Sequence, residues 1–325
     1  MGGFKGFPEE VATPLRKALY FDNHGNDPQR ALRYYQDALR EAAAVGMDPW
    51  SDEVVGLKIR VAAFLEKYGA LELSAKILDS LRKSALEWVD KSGDQHFSDG
   101  RRTAILNKTV AIGVKLGELY SSPSVNQPEL AEESLVSAVE TMLQEKRRRE
   151  IDGVKEGEGE WDSDEQQAGA SMEALAHHYE AANKHYLATP LFLQALTLCP
   201  PRSCHRVVLM NNVAMSLAEQ RPPPSWVAKG EKMPSPETLR QQATMWAQKA
   251  LQLAADIKSP DRTEECDRGC AVATHNLGEL AEMAGNVTEA KKRYTEARNL
   301  AEGIGFIEGV QESKAALKRL EAING

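Results

Sequence analysis

Small and large apolar residues recur along this chain at helical spacing, in paired segments, and the pairs repeat. The last copy is the sharpest. Leu277-Gly278 and Ala281 lie before a turn at Gly285-Asn286, and Ala290, Tyr294 and Ala297 follow it. Gly278 to Ala290 is 12 residues, and the next steps are 4 and 3. Leu175-Ala176, Tyr179, Ala188, Phe192 and Ala195, closed by Pro200, repeat the same 12, 4 and 3. Looser copies run through Val61-Ala62, through Leu116-Gly117, through Ala31, Tyr35 and Ala38, and through Val213-Ala214. Small residues let two helices cross closely, and large ones fill the gaps beside the crossing. Alternating runs of Val, Ile and Thr are almost absent, so no sheet is expected.

This order of residues resembles the tetratricopeptide (TPR) pattern. The predicted fold is all-α: an α-solenoid of about six tetratricopeptide-type helix pairs with a C-terminal capping helix, forming one domain over 1–325. Repeats one to three are expected within about 9–150, and repeats four to six within 169–305. Equivalent positions lie 38 to 64 residues apart, more than the minimal repeat of about 34. The excess is assigned to longer helices near 83–112 and to two loops. One is an acidic, glycine-interrupted tract at 151–168 with Glu156, Glu158, Glu160, Asp162, Asp164 and Glu165, which is expected to be disordered. The other is a Pro-rich insertion, 220–236, that splits the fifth repeat. Residues 306–325 carry an amphipathic segment that would cover the apolar face of the last pair.

Of the 325 residues 42% are hydrophobic, enough to fill a core that grows in one dimension. The formal charge of −8 argues against nucleic acid as a partner, and the one basic run, Lys146 to Arg149, is followed at once by the acidic tract. No stretch is long and apolar enough to span a bilayer. Met1 to Gly6 has no apolar signal-peptide region, so any membrane anchor is expected to lie outside this chain. His177-His178 and His185 lack the Glu of a zinc-protease motif, and neither a phosphate loop nor a nucleophile elbow is present. The chain reads as a non-enzyme, with no cofactor and no metal expected.

Cys199, Cys204, Cys266 and Cys270 all fall near predicted helix junctions. Three readings stay open: disulfide bonding, idle or buried thiols, and a four-thiolate zinc site, although the spacings are not those of a zinc ribbon.

In such a solenoid the first helix of each pair lines a concave groove. Counted from the Leu-Gly position, the groove-facing residues are Glu173, His177 and Glu180 in repeat four. Asn211, Asn212 and Met215 follow in repeat five, and His275, Asn276, Glu279 and Met283 in repeat six. Asn212 and Asn276 share one repeat position, and an amide there offers both donors and an acceptor to an extended peptide backbone. Met215 and Met283 would add adaptable apolar contact, or serve in the core. Neutral and acidic positions do not suit a grip on a C-terminal carboxylate. Basic or apolar segments of extended clients suit them better.

The N-terminal segments Leu15 to Tyr20, Asp27 to Tyr35 and Gly46 to Val54 resemble a fungal family, the tetratricopeptide adaptor subunits of the mitochondrial inner-membrane i-AAA protease. The resemblance implies a repeat domain in the intermembrane space, held at the inner membrane by an anchor absent from this chain. It also implies work with a partner adaptor subunit to deliver unfolded clients to the protease. That compartment would favour the disulfide reading of the cysteines. The alternatives are a structural scaffold without a client groove and a cytoplasmic location.

Overall fold

The turn inside a helix pair is set by backbone geometry before any core forms. Gly69, Asn183 and Gly285 stand at the same point of their pairs and take φ of 79°, 56° and 78°. Each N–H, and the next, reaches back into the last helical turn. Gly285 donates to Glu282 at 2.9 Å and Asn286 to Ala281 at 2.8 Å; Asn183 and Lys184 repeat this on Glu180 and Tyr179, both at 2.8 Å. Left-handed residues of this kind satisfy helix-end carbonyls, and glycine or asparagine adopts them at least cost.

The computed structural model of the chain describes residues 6–24, 27–161, 168–222 and 234–323. Thirteen α-helices form among them, and no strand. They divide into two units, Met1–Trp161 and Asp162–Gly325. The first holds α1 (Glu9–Asn23), α2 (Pro28–Ala44), α3 (Asp52–Lys67), α4 (Leu71–Ser92), α5 (Arg101–Ser121) and α6 (Pro128–Asp152). The second holds α7 (Ala168–Ala181), α8 (His185–Leu198), α9 (Cys204–Ala218), α10 (Pro236–Asp256), α11 (Glu264–Met283), α12 (Val287–Gly303) and α13 (Ile307–Ile323). Within each unit successive helices pack on one another as tetratricopeptide-type pairs. Most of the Pro-rich insertion, 223–233, and the end of the acidic tract, 162–167, lie outside the described residues.

The repeat positions form the cores. Ala31, Tyr35 and Ala38, Ala188, Phe192 and Ala195, and Ala290, Tyr294 and Ala297 are all buried. The glycine of the Leu-Gly pair permits the close crossing: a Cβ on Gly278 would stand 2.8 Å from Cδ1 of Tyr294. In the first unit a buried charge ties three helices together. Asp22 of α1 accepts from Tyr35 of α2 at 3.1 Å, and from Arg60 and Lys67 of α3 at 2.8 and 2.7 Å. Burial alone would raise the Asp22 carboxyl, but the bonds from Lys67 and Tyr35 outweigh it and hold it below its ordinary value.

The expectation of disorder across 151–168 is corrected for its first part. Residues 153–161 run back over α5 and α6 as a strap. Glu158 and Trp161 are buried, at 1% and 4% exposure. Glu158 pairs with Arg148 and accepts from the N–H of Lys155 at 2.8 Å. Arg149 lies over the Trp161 ring. Gly157 takes φ of 77° against the Ser98 carbonyl, where an added Cβ would collide with the oxygen. Arg148 and Arg149 of the basic run and Glu158 of the acidic tract therefore pair with one another, and composition alone does not register such local pairing.

In the second unit a disulfide joins Cys204 at the start of α9 to Cys266 near the start of α11, with Cα atoms 4.6 Å apart. Cys199 and Cys270 are free thiols. This removes the four-thiolate zinc reading, since two of its ligands are bonded to each other. Among the described residues no cluster of three or more His, Cys, Asp or Glu is arranged to hold a metal, and no helix is long and apolar enough to cross a membrane.

A candidate peptide-binding face on the second unit

The first helices of the unit, α7, α9 and α11, present a connected row of polar side chains. Each starts where local chemistry allows: the Ser203 hydroxyl, for example, accepts from the Arg206 N–H and caps α9. The row is centred on Glu173 of α7. It accepts from His205 Nε2 of α9 at 2.9 Å and lies 3.7 Å from His177 Nε2. His205 Nδ1 reaches Glu265 of α11 at 2.9 Å, and His177 Nδ1 reaches Glu180 at 3.1 Å. The chain Glu180–His177–Glu173–His205–Glu265 thus crosses three helices.

Its charges are set by that pairing. The pairing with Glu173, then the hydrogen bond to Glu180, raises His177 to about 9. His205 is raised to about 9 by its bond to Glu173, in spite of burial. Burial would raise Glu173, but the two histidines outweigh it and lower it to about 2. Both imidazoles are therefore charged at neutral pH. The face is less acidic than a count with neutral histidines gives.

Beside this row a crevice of about 260 Å³ opens between α9 and α11. Val208 and Val272 give it apolar walls, Asn211 and Asn212 polar ones, and Glu264, Glu265 and Arg268 its charged edge. Asn212 is half-buried, with its amide 3.5 Å from Glu173. It remains open to a ligand.

Other sequence-predicted residues are committed to packing or lie away from the crevice. Asn211 is 2% exposed and donates to the Gly269 carbonyl of α11 at 3.0 Å, so its amide fastens two helices. Asn276 is 6% exposed. It sits with His275, Phe306 and Ser313 around a void of about 40 Å³, because α13 covers the last pair. His275 Nδ1 contacts Ser313 of α13 at 3.0 Å. Burial, then the nearby Arg319, keeps its imidazole below the ordinary value. A two-rung asparagine ladder is therefore not accessible: Asn212 is its one open rung. Glu279 is partly buried, and burial followed by the charge of Glu219 raises its carboxyl. Met283 is exposed, whereas Met215 is half-buried.

Counting groove positions outward from the Leu-Gly pair missed His205 and Glu265. Both stand in the opening turns of their helices. His205 is seven residues before Asn212, which places it on the same helical face two turns earlier.

No family model matches the sequence. A TPR repeat-containing protein of Schizosaccharomyces pombe is 30% identical over 320 residues, covering 98% of this chain and 80% of that protein. The Saccharomyces cerevisiae protein named Protein MRG3-like is 29% identical over 122 residues, which is 37% of this chain and 26% of that protein. Among solved structures, BtubC (BKLC) from P. vanneervenii shares the fold with a TM-score of 0.52 at 14% identity, covering 86% of this chain and 92% of that one.

Proposed function

The chain belongs to the TPR repeat-containing proteins, and from that premise we propose that it is a non-catalytic adaptor. In this reading it holds extended segments of unfolded client proteins against α9 and α11 and assists their delivery to the mitochondrial i-AAA protease, together with a partner adaptor subunit. One observation carries the client-binding part: an apolar crevice whose polar walls keep an accessible amide, Asn212, and whose charged edge holds two carboxylates, Glu264 and Glu265, against one cation, Arg268. An amide pairs with a peptide backbone of any sequence, valines take an apolar side chain, and an edge with one carboxylate in excess favours a basic neighbour.

The compartment and the protease rest on other supports. The resemblance of Leu15 to Tyr20, Asp27 to Tyr35 and Gly46 to Val54 points to the adaptor family. These segments build much of α1, α2 and the entry to α3. The Cys204–Cys266 disulfide fits an oxidising compartment such as the intermembrane space. Location at the inner membrane, with the repeat domain in the intermembrane space, follows from the same reading.

Crosslinking followed by affinity capture from mitochondria tests it. Recovery of the i-AAA protease and its partner adaptor is the expected result. A reproducible partner set without the protease would overturn the adaptor reading in favour of a structural scaffold.

A further inference from the structure

A second groove lies on the first unit, on the face carried by the second helices of its pairs. Its volume is about 650 Å³. The floor is α3, through Val61 and Leu65. One wall is α2, through Leu32 and Leu39; the other is α4, through Leu73 and Ile77. Trp50 closes one end. The wall residues follow helical spacing, so these are the apolar stripes of two neighbouring helices left apart above a third. From Leu73 to Ser84 the α4 wall is about 16 Å long, three helical turns.

The charge of this groove runs against that of the chain. The protein is acidic, yet the lining holds two lysines, Lys58 and Lys76, and no carboxylate. Several cations elsewhere in the unit are paired: Arg60 and Lys67 with Asp22, Lys83 with Asp79, Lys115 with Glu66. Neither Lys58 nor Lys76 joins an ion pair among the described residues. Lys58 is partly buried beside Trp50, and burial alone lowers its ammonium below the ordinary value. A desolvated cation without a counter-ion is costly, and a carboxylate brought by a ligand would relieve that cost. Leu73, 52% exposed on the rim, adds apolar surface that no other described element covers.

We propose that the groove between α2 and α4 docks an acidic amphipathic helix of a partner protein, its apolar stripe on Leu39, Val61 and Ile77 and its carboxylates on Lys58 and Lys76. This site stands apart from the client face of the second unit and takes ligands of the opposite charge. It gives the chain one surface for basic or apolar clients and another for an acidic partner helix.

Fluorescence anisotropy on the full chain tests this, with a labelled helical peptide of about 14 residues, four turns, carrying leucines at helical spacing flanked by glutamates. Its twin carries lysine in place of each glutamate. The acidic peptide is expected to bind and the twin to fail. Lys58→Gln with Lys76→Gln should weaken the acidic peptide at least about tenfold. Leu73→Asp, on an exposed position that folding tolerates, should abolish binding. Asn212→Ala should leave it unchanged, which separates this site from the client face. Equal affinity for the two peptides, or indifference to the lysine variants with helicity intact by circular dichroism, would overturn the proposal. So would a dimer by light scattering that Leu73→Asp dissociates, which assigns the groove to a second copy. Lysine-dependent sedimentation with phosphatidylserine vesicles without peptide binding would assign it to a membrane surface and overturn it equally.

Discussion

His205 of α9 and Glu173 of α7 share a 2.9 Å hydrogen bond that couples the titration of two neighbouring first helices. His177 and His205 rise to about 9 in the folded protein, above the ordinary 6.5. Their contribution to stability is complete below pH 6.5 and is lost as pH climbs through about 9. Glu173 has the opposite sign: its contribution is present above 4.5 and is lost as pH falls through about 2. The histidines are nearly half exposed, so solvent screening limits the whole effect to about 1 kcal/mol. Calorimetric melting should show the native protein falling about 2–4 °C further than the variant His177→Gln with His205→Gln between pH 6.5 and 9.5. Parallel profiles for the two proteins would refute the coupling.

The Cys204–Cys266 bond closes a loop of 62 residues that contains α9, α10 and the Pro-rich insertion. Loop-closure entropy for that length stabilises by about 4 kcal/mol. Cys204→Ser with Cys266→Ser should lower the denaturant midpoint of the second unit, and reductant should lower it equally in the native protein. A thiol count under denaturing, non-reducing conditions should return two free groups, Cys199 and Cys270. Four free thiols would remove the bond.

The second helices of the pairs were the most legible part of the sequence. Ala290, Tyr294 and Ala297 must be small, large and small for two helices to cross, so spacing alone reveals them. The groove was legible as a face but not as a surface. Asn211 and Asn276 hold the expected repeat positions, yet a neighbouring helix occupies one and the C-terminal helix covers the other. Periodicity tells which way a side chain points and says nothing of what lies against it. Gly269 escaped notice for a related reason. A Cβ there would meet Val207 at 2.9 Å, a constraint imposed by a residue 62 positions away. The lysine-lined groove of the first unit depends on which cations remain unpaired after folding, and no local pattern carries that.

Asn211 and Asn212 are adjacent, and their substitutions should separate stability from binding. Asn211→Ala removes a buried bond to the Gly269 carbonyl and should cost about 1–2 kcal/mol, read as a lower melting temperature. Asn212→Ala removes an amide with only long, half-exposed contacts. It should leave melting unchanged and weaken an extended client peptide several-fold by anisotropy. If Asn212→Ala lowers stability as much as Asn211→Ala, its amide belongs to the fold rather than to the face.

The strap over α5 and α6 makes a last demand on the chain. Glu145, 2% exposed, accepts from Arg102, Arg148 and Arg149, and Glu158 brings a second carboxylate to the same guanidinium group of Arg148. Removing Glu145 would leave three arginines around one remaining acid, so Glu145→Gln should destabilise the first unit by about 3 kcal/mol or more. Glu158→Gln leaves Glu145 in place, and Trp161 still covers Arg149. It should cost less and act locally, freeing 153–161 from the helices. Limited proteolysis separates the two effects. In the native protein 153–161 should resist cleavage, whereas Glu158→Gln should be cut there while the melting temperature stays within about 2–4 °C. Cleavage of 153–161 at the same rate in both proteins would mean that the buried carboxylate does not hold the strap.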